Sequence, residues 1–204
     1  MQVIQWFAAG LLASVASITG AAPAIGQQAP NFRATDVAGK PVSLADFKGK
    51  YVVLEWNNPG CPFVQKHYDS GNMQSLQKRF GADSVAWLSI NSTNENSSDY
   101  LPPAKLAAWF KRHNAVPAAV LMDAKGEVGR AFGAKVTPHM YVIDPSGTLV
   151  YAGAIDDKRS TNVADVKTAT NYVVSALTDA KLGKPVSKSN SQAYGYTIKY
   201  SSGL

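Results

Sequence analysis

An α/β fold is what this sequence predicts: a mixed central β-sheet with helices on both faces and a β-hairpin at the start of the folded region. Three observations lead there. Between about residue 50 and residue 130, β-prone runs alternate with helix-patterned ones, which implies right-handed crossovers and parallel strands at the sheet centre. Asp144-Pro145-Ser146-Gly147 is a turn signal between two further β-prone runs, which adds an antiparallel edge. An apolar stripe at helical spacing then closes the domain. With 46% hydrophobic and 17% charged residues, 16 glycines and 11 prolines in 204 residues, the chain is neither collagen-like, coiled-coil nor wholly disordered. It is long enough for one sizeable core.

The elements follow in order. Phe32–Asp36 and Pro41–Leu44 flank Ala38-Gly39-Lys40 and predict the small hairpin. Tyr51–Trp56 is strongly β-prone and bounded by Gly49 and Pro59-Gly60. Pro62 suits a first helical turn, and Phe63, His67, Met73, Leu76 and Phe80 follow at helical spacing with a kink expected at Gly71. Ser84–Asn91 predicts a second strand, Asn91–Asp99 a polar loop, Pro103–His113 a helix and Ala118–Met122 a third strand. Glu127–Phe132 is a short helix stopped by Gly133. His139–Ile143 and Thr148–Ala154 form the late hairpin. Asn162–Leu182 predicts one long helix, capped by Asn162, buried along Val163, Val166, Ala169, Val173 and Leu177, and ended by Gly183 and Pro185.

No charged side chain precedes Arg33, and Val3–Ile18 is mostly apolar and followed by the small residues Thr19-Gly20-Ala21-Ala22-Pro23-Ala24. This pattern reads as a secretory signal peptide over residues 1–24 and export to the periplasm, with no stable membrane insertion after cleavage. An uncleaved anchor and an amphipathic packing segment are the alternatives; about sixteen residues is short for a span, which needs about 20. Twenty Lys and Arg against fourteen Asp and Glu give a net charge of +6, most simply a solvated basic surface. Residues 25–183 form the predicted body and 184–204 a basic extension carrying Lys184, Lys188 and Lys199, with an apolar alternation at Tyr196, Ile198 and Tyr200.

Cys61 is the single cysteine, so no intramolecular disulfide and no cysteine-based zinc cage can form. A lone cysteine is ordinarily a small buried hydrophobe. This one follows a strand and the Asn57-Asn58-Pro59-Gly60 loop and directly precedes Pro62 and a helix. Amides at a helix N-terminus favour an anion, so the position points to a stabilised thiolate and a functional thiol.

Here the chain resembles the redoxin branch of the thioredoxin-like superfamily, of the alkyl hydroperoxide reductase and thiol-specific antioxidant type. The resemblance runs through Ala29-Pro30-Asn31-Phe32, Asp36, Gly39–Leu44 and Phe47-Lys48-Gly49-Lys50. It continues through Trp56 and Cys61-Pro62-Phe63-Val64, then Val136-Thr137-Pro138, Tyr141-Val142-Ile143-Asp144, Gly147, Tyr151 and Gly153. It covers nearly all of residues 28–182. It implies a thioredoxin-like fold, Cys61 as the catalytic residue, a cis peptide bond before Pro138, and Trp56, Asn57, Asn58, Pro62, Thr137 and Pro138 as active-site support. Three departures stand out. Val64 occupies the place of a thioredoxin second cysteine, and Tyr196 that of a C-terminal one. Leu54 and Asn58 stand where peroxiredoxins carry Pro and Thr.

Glu55 is a candidate proton acceptor beneath the site, or else a half-buried structural carboxylate. Asn57 and Asn58 could donate to a thiolate or peroxide, or simply shape the turn. His67 lies on another helical face and reads as structural. Asp156-Asp157-Lys158-Arg159 reads as a solvated helix approach. No metal-ligand cluster, phosphate loop or nucleic-acid motif appears, so no cofactor, metal or nucleic-acid partner is expected. The resulting expectation is an exported oxidoreductase that uses Cys61 for thiol-disulfide exchange, resolved by an external thiol reductant because no second cysteine exists. A one-cysteine peroxidase of antioxidant type and a non-catalytic binding module are the alternatives, so the substrate is a disulfide or a peroxide.

Overall fold

The structure, a computed structural model, describes residues 22–201. The signal peptide expected over residues 1–24 therefore falls almost entirely outside the described residues. Among the described residues no helix is long and apolar enough to cross a membrane.

Seven strands form one sheet: β1 (Arg33–Asp36), β2 (Pro41–Ser43), β3 (Val52–Trp56), β4 (Ala86–Asn91), β5 (Ala119–Met122), β7 (His139–Ile143) and β8 (Leu149–Gly153). Their spatial order is β2-β1-β5-β4-β3-β7-β8. β3, β4 and β5 are parallel, and the late hairpin β7–β8 joins antiparallel to β3, as the alternation of segments predicts. The early hairpin closes the other edge, with β1 antiparallel to β5. A separate two-strand pair joins β6 (Val136–Thr137) to β9 (Tyr196–Thr197).

β3 is central and buried along its whole length, and its residues alternate between two apolar layers. Val53 faces the layer built from α1 (Pro62–Asp69), α2 (Asn72–Ala82), α3 (Pro103–Arg112) and α5 (Tyr172–Lys181). Val52, Leu54 and Trp56 face the opposite layer, which holds Val128 and Phe132 of α4 (Glu127–Phe132) together with Phe32, Leu121 and Ile198. Helices thus cover both faces, unevenly.

Two helix expectations change. The kink expected at Gly71 is a full break: Gly71 takes φ 72, a left-handed conformation that glycine adopts without strain, and α2 starts afresh after it. The long helix expected over Asn162–Leu182 is two elements. Asn162 caps only a 3-10 turn, Val163–Thr168, whose Val163 is exposed. The chain then extends at Ala169, and α5 begins under a second cap, Asn171, whose Oδ1 accepts from Val174 N at 3.0 Å. Tertiary bonds impose the break. Thr170 N donates to Asp157 Oδ1 and Tyr172 N to the Ile155 carbonyl, which an uninterrupted helix would forbid.

Candidate active site around Cys61

Asn57 to Gly60 carries the chain from the end of β3 to α1. Asn58 shapes this loop: its Oδ1 accepts from Gly60 N at 2.9 Å and its carbonyl from Cys61 N at 2.9 Å. Cys61 is the residue that caps α1, with Pro62 as the first helical residue. The expectation of a thiolate cradled by helix amides is not what forms. Pro62 has no N–H, Val64 N and Gln65 N both donate to the carbonyl of Cys61 itself, and the side chain makes no capping bond. The thiol is fully buried, 0% exposed, and donates instead to the carbonyl of Thr137 at 3.0 Å.

That carbonyl belongs to the cis peptide Thr137–Pro138, as the resemblance implies. Cys61, Pro62, Thr137 and Pro138 are therefore brought together. Thr137 is buried, and its Oγ1 finds no partner. Neither asparagine side chain reaches the sulfur. Asn57 Nδ2 donates to Glu55 Oε1 at 3.0 Å, leaving Asn57 Oδ1 buried without a partner. Trp56 is also absent from the site. Strand alternation sends its ring into the opposite layer, against Phe132 and Tyr141, with Nε1 donating to Ser92 Oγ.

Glu55 is the site's buried carboxyl group, on the same sheet face as Val53, whose apolar layer includes Cys61. It is 0% exposed and has four donors. Asn57 Nδ2 and Tyr68 Oη (2.8 Å) meet Oε1, while Trp87 Nε1 (2.8 Å) and Ser89 Oγ (2.9 Å) meet Oε2. Burial raises its pKa above the usual carboxylate range, and the four hydrogen bonds pull against that rise. Sequence reasoning reached Glu55 but not Tyr68, Trp87 or Ser89. Pairing β3 with β4 in parallel would have found two of them, since Val53 stands opposite Trp87 and Glu55 opposite Ser89.

A second buried polar group flanks α1. Asp156, expected to be solvated, is 2% exposed. Its Oδ2 lies 3.8 Å from both Lys66 Nζ and His67 Nε2, and its Oδ1 accepts from Tyr194 Oη and Lys158 N. Lys66 Nζ donates to the Lys158 carbonyl at 2.8 Å. Burial, then the neighbouring Lys66 charge, lowers the His67 pKa to about 3, so this imidazole is neutral near pH 7. Among the described residues no three His, Cys, Asp or Glu side chains gather as metal ligands would.

Comparison with known proteins shows the fold and the family. Thioredoxin-like protein YneN of Bacillus subtilis is 27% identical over 143 residues, covering 69% of this chain and 79% of that one. Thiol-disulfide oxidoreductase ResA of Bacillus thuringiensis subsp. konkukian is 26% identical over 126 residues, covering 62% and 67%. In fold, the chain superposes on the thioredoxin domain of a thiol-disulfide oxidoreductase from Bacteroides vulgatus with a TM-score of 0.52 at 21% identity, covering 72% and 98%. The AhpC/TSA family model matches residues 25–152, more than half the chain, a range that includes Glu55, Cys61, Thr137 and Pro138. The chain therefore belongs to the AhpC/TSA family, in the thioredoxin-like superfamily, and carries a single cysteine.

Proposed function

We propose that this protein is a thiol-disulfide oxidoreductase that works through Cys61 alone. The observation that carries the reading is the placement of the one thiol at the loop-to-helix junction against the Thr137 carbonyl of the Thr137–Pro138 peptide. The names of the curated relatives point the same way. The Cys61 thiolate attacks one sulfur of a substrate disulfide, forming a mixed disulfide and expelling the other sulfur as a thiolate. A thiol from outside the chain then attacks the mixed disulfide, takes over the bond to the substrate sulfur and returns Cys61 to the thiolate. Ionising the thiol requires a proton acceptor. Glu55, with its raised pKa and its Asn57 link to the active-site loop, takes that part by holding the proton.

Peroxide reduction has less support. A peroxidatic site needs donors aimed at the departing oxygen. Leu54 lies in the opposite layer, and among the described residues no side-chain donor bonds to Cys61, whose sulfur meets only the Thr137 carbonyl. The domain division is part of the same proposal: a signal peptide over 1–24, which puts the mature protein in the periplasm, a redoxin body over 25–183 and an extension over 184–204. The test is a side-by-side rate measurement on reduced full-length protein with a peptide disulfide and with hydrogen peroxide, using Cys61→Ser as the blank. Faster Cys61-dependent exchange with the disulfide is the expected result. Faster oxidation by peroxide would reverse the assignment, and no reaction with either would leave a binding module.

A further inference from the structure

A sulfur that is 0% exposed cannot approach a second sulfur, so exchange at Cys61 requires something to move. The C-terminal extension lies close to it: Tyr194 belongs to the same apolar layer as Cys61, and Gly195 sits against the carbonyl that receives the thiol. After pairing with β8 around Ser189 and Ser191, the chain turns back over the site. There β9 lies antiparallel on β6, with Tyr196 opposite Thr137. Gly195, at φ 135, presses against the Thr137 carbonyl, the same oxygen that receives the Cys61 thiol, and a Cβ at 195 would overlap that oxygen.

The segment is fastened at its ends and lightly held between them. On one side Tyr194 is buried, edge-on to Phe63 at 5.6 Å, with its hydroxyl donating to Asp156. On the other, Ile198 is buried with its N–H on the Lys135 carbonyl, and Tyr200 Oη donates to the Ala134 carbonyl at 2.8 Å. Between these anchors, Tyr196 is 47% exposed and Thr197 is exposed, and β9 is two residues long. A segment with so little buried surface opens at low cost relative to the core.

We propose that residues 192–201 form a strap that closes the β6 edge over Cys61, and that the thiol reacts only when Gly195–Thr197 lifts from Val136–Thr137. This rests on the reading of Cys61 as the reacting thiol. In the closed state the chain's own Tyr196–Thr197 occupies the strand edge beside the sulfur, so an extended substrate segment competes with the strap for Val136–Thr137. Tyr194 is the latch. Its hydroxyl joins the strap to Asp156, which in turn stands beside Lys66 and His67 on the helix that Cys61 caps.

The test is the rate of Cys61 alkylation by iodoacetamide in the native full-length chain. The variants are Tyr194→Phe, Gly195→Ala and, as a control for general loss of stability, Tyr51→Phe, which removes a hydroxyl bond to the Ala180 carbonyl elsewhere in the fold. Tyr194→Phe should speed alkylation at least roughly tenfold, the lower end of the loss expected for one hydrogen bond to a charged group. Gly195→Ala should speed it at least as much, and Tyr51→Phe should leave it within about twofold. Hydrogen exchange read by mass spectrometry keeps the idea testable if a variant folds poorly. In the unmodified protein the peptide carrying Val136–Thr137, which pairs with Tyr196–Thr197, should exchange well before the amides of β3. Equal alkylation rates in all variants, or exchange of Val136–Thr137 only together with β3, would overturn the strap. Alkylation needs no substrate, so the two proposals separate. Strap-dependent alkylation without disulfide exchange sinks the oxidoreductase reading alone, and exchange at equal rates in strap variants and unmodified protein sinks the strap alone.

Discussion

Glu55 is a buried carboxyl group surrounded by groups that can all donate, and two of them, Trp87 Nε1 and Asn57 Nδ2, can do nothing else. An amide at position 55 could accept from one side only and would turn its own N–H₂ against the other pair. Glu55→Gln should therefore cost about 1–3 kcal/mol in urea denaturation, the range for buried polar groups left unpaired. If Glu55 also receives the proton from Cys61, the pH profile of disulfide exchange should move as well; a profile unchanged at reduced stability would leave Glu55 purely structural. His67 sets a second prediction. Its folded pKa of about 3 lies below the unfolded 6.5, so between those values the unfolded chain binds a proton that the native chain refuses. Stability must then fall as pH falls through that window, by up to about 1.4 kcal/mol per pH unit. His139, lowered to about 4, adds in the same direction. Urea denaturation at pH 7 and pH 5 should show the loss, and His67→Gln should remove its share; an unchanged slope in that variant would contradict the neutral, buried imidazole. From the sequence, Cys61 stands out by its place between a strand and a helix, Thr137 and Pro138 through the family resemblance, and Glu55 by its place on the strand that leads into the Cys61 loop. It could not identify Asp156 as buried, because its partners Lys66 and Tyr194 lie 90 and 38 residues away in sequence.

At the scale of elements, runs of β-branched residues and amphipathic stripes mark the seven strands of the main sheet and most helices, but not the short β6–β9 pair. The break at Ala169 escaped because Val163, Val166, Ala169, Val173 and Leu177 keep helical spacing straight through it. What divides them is non-local: the Thr170 and Tyr172 amides turn to Asp157 and Ile155. The two caps should then differ in weight. Asn171→Ala should destabilise the protein by about 1 kcal/mol, the usual cost of removing an N-cap, because α5 packs Val173, Ala176 and Leu177 into the core. Asn162→Ala should be nearly neutral, since the turn it caps buries nothing. Comparable losses from both, read by denaturant midpoint, would favour one continuous helix.

At the scale of the whole molecule, the fold is a β3-centred sheet whose two faces serve different ends. One face holds Glu55 and the helix that begins at Cys61, while the other takes up Trp56 with α4 and the end of the C-terminal segment. The extension reads from sequence as basic and solvated, and Lys184, Lys188 and Lys199 are indeed exposed. Its alternation at Tyr196, Ile198 and Tyr200 gave no hint of a partner, because a two-residue strand carries too little pattern to name the edge it joins. Tyr196 stands where the resemblance implies a second cysteine, and with Cys61 the single cysteine of the chain the proposed chemistry draws its other sulfurs from outside molecules. The most direct test of that central claim is the intact mass of reduced full-length protein after incubation with a peptide disulfide. One peptide should be joined to each chain through Cys61, released by excess external thiol and absent from Cys61→Ser. A native protein that forms no adduct, while its urea-unfolded form does, would contradict it.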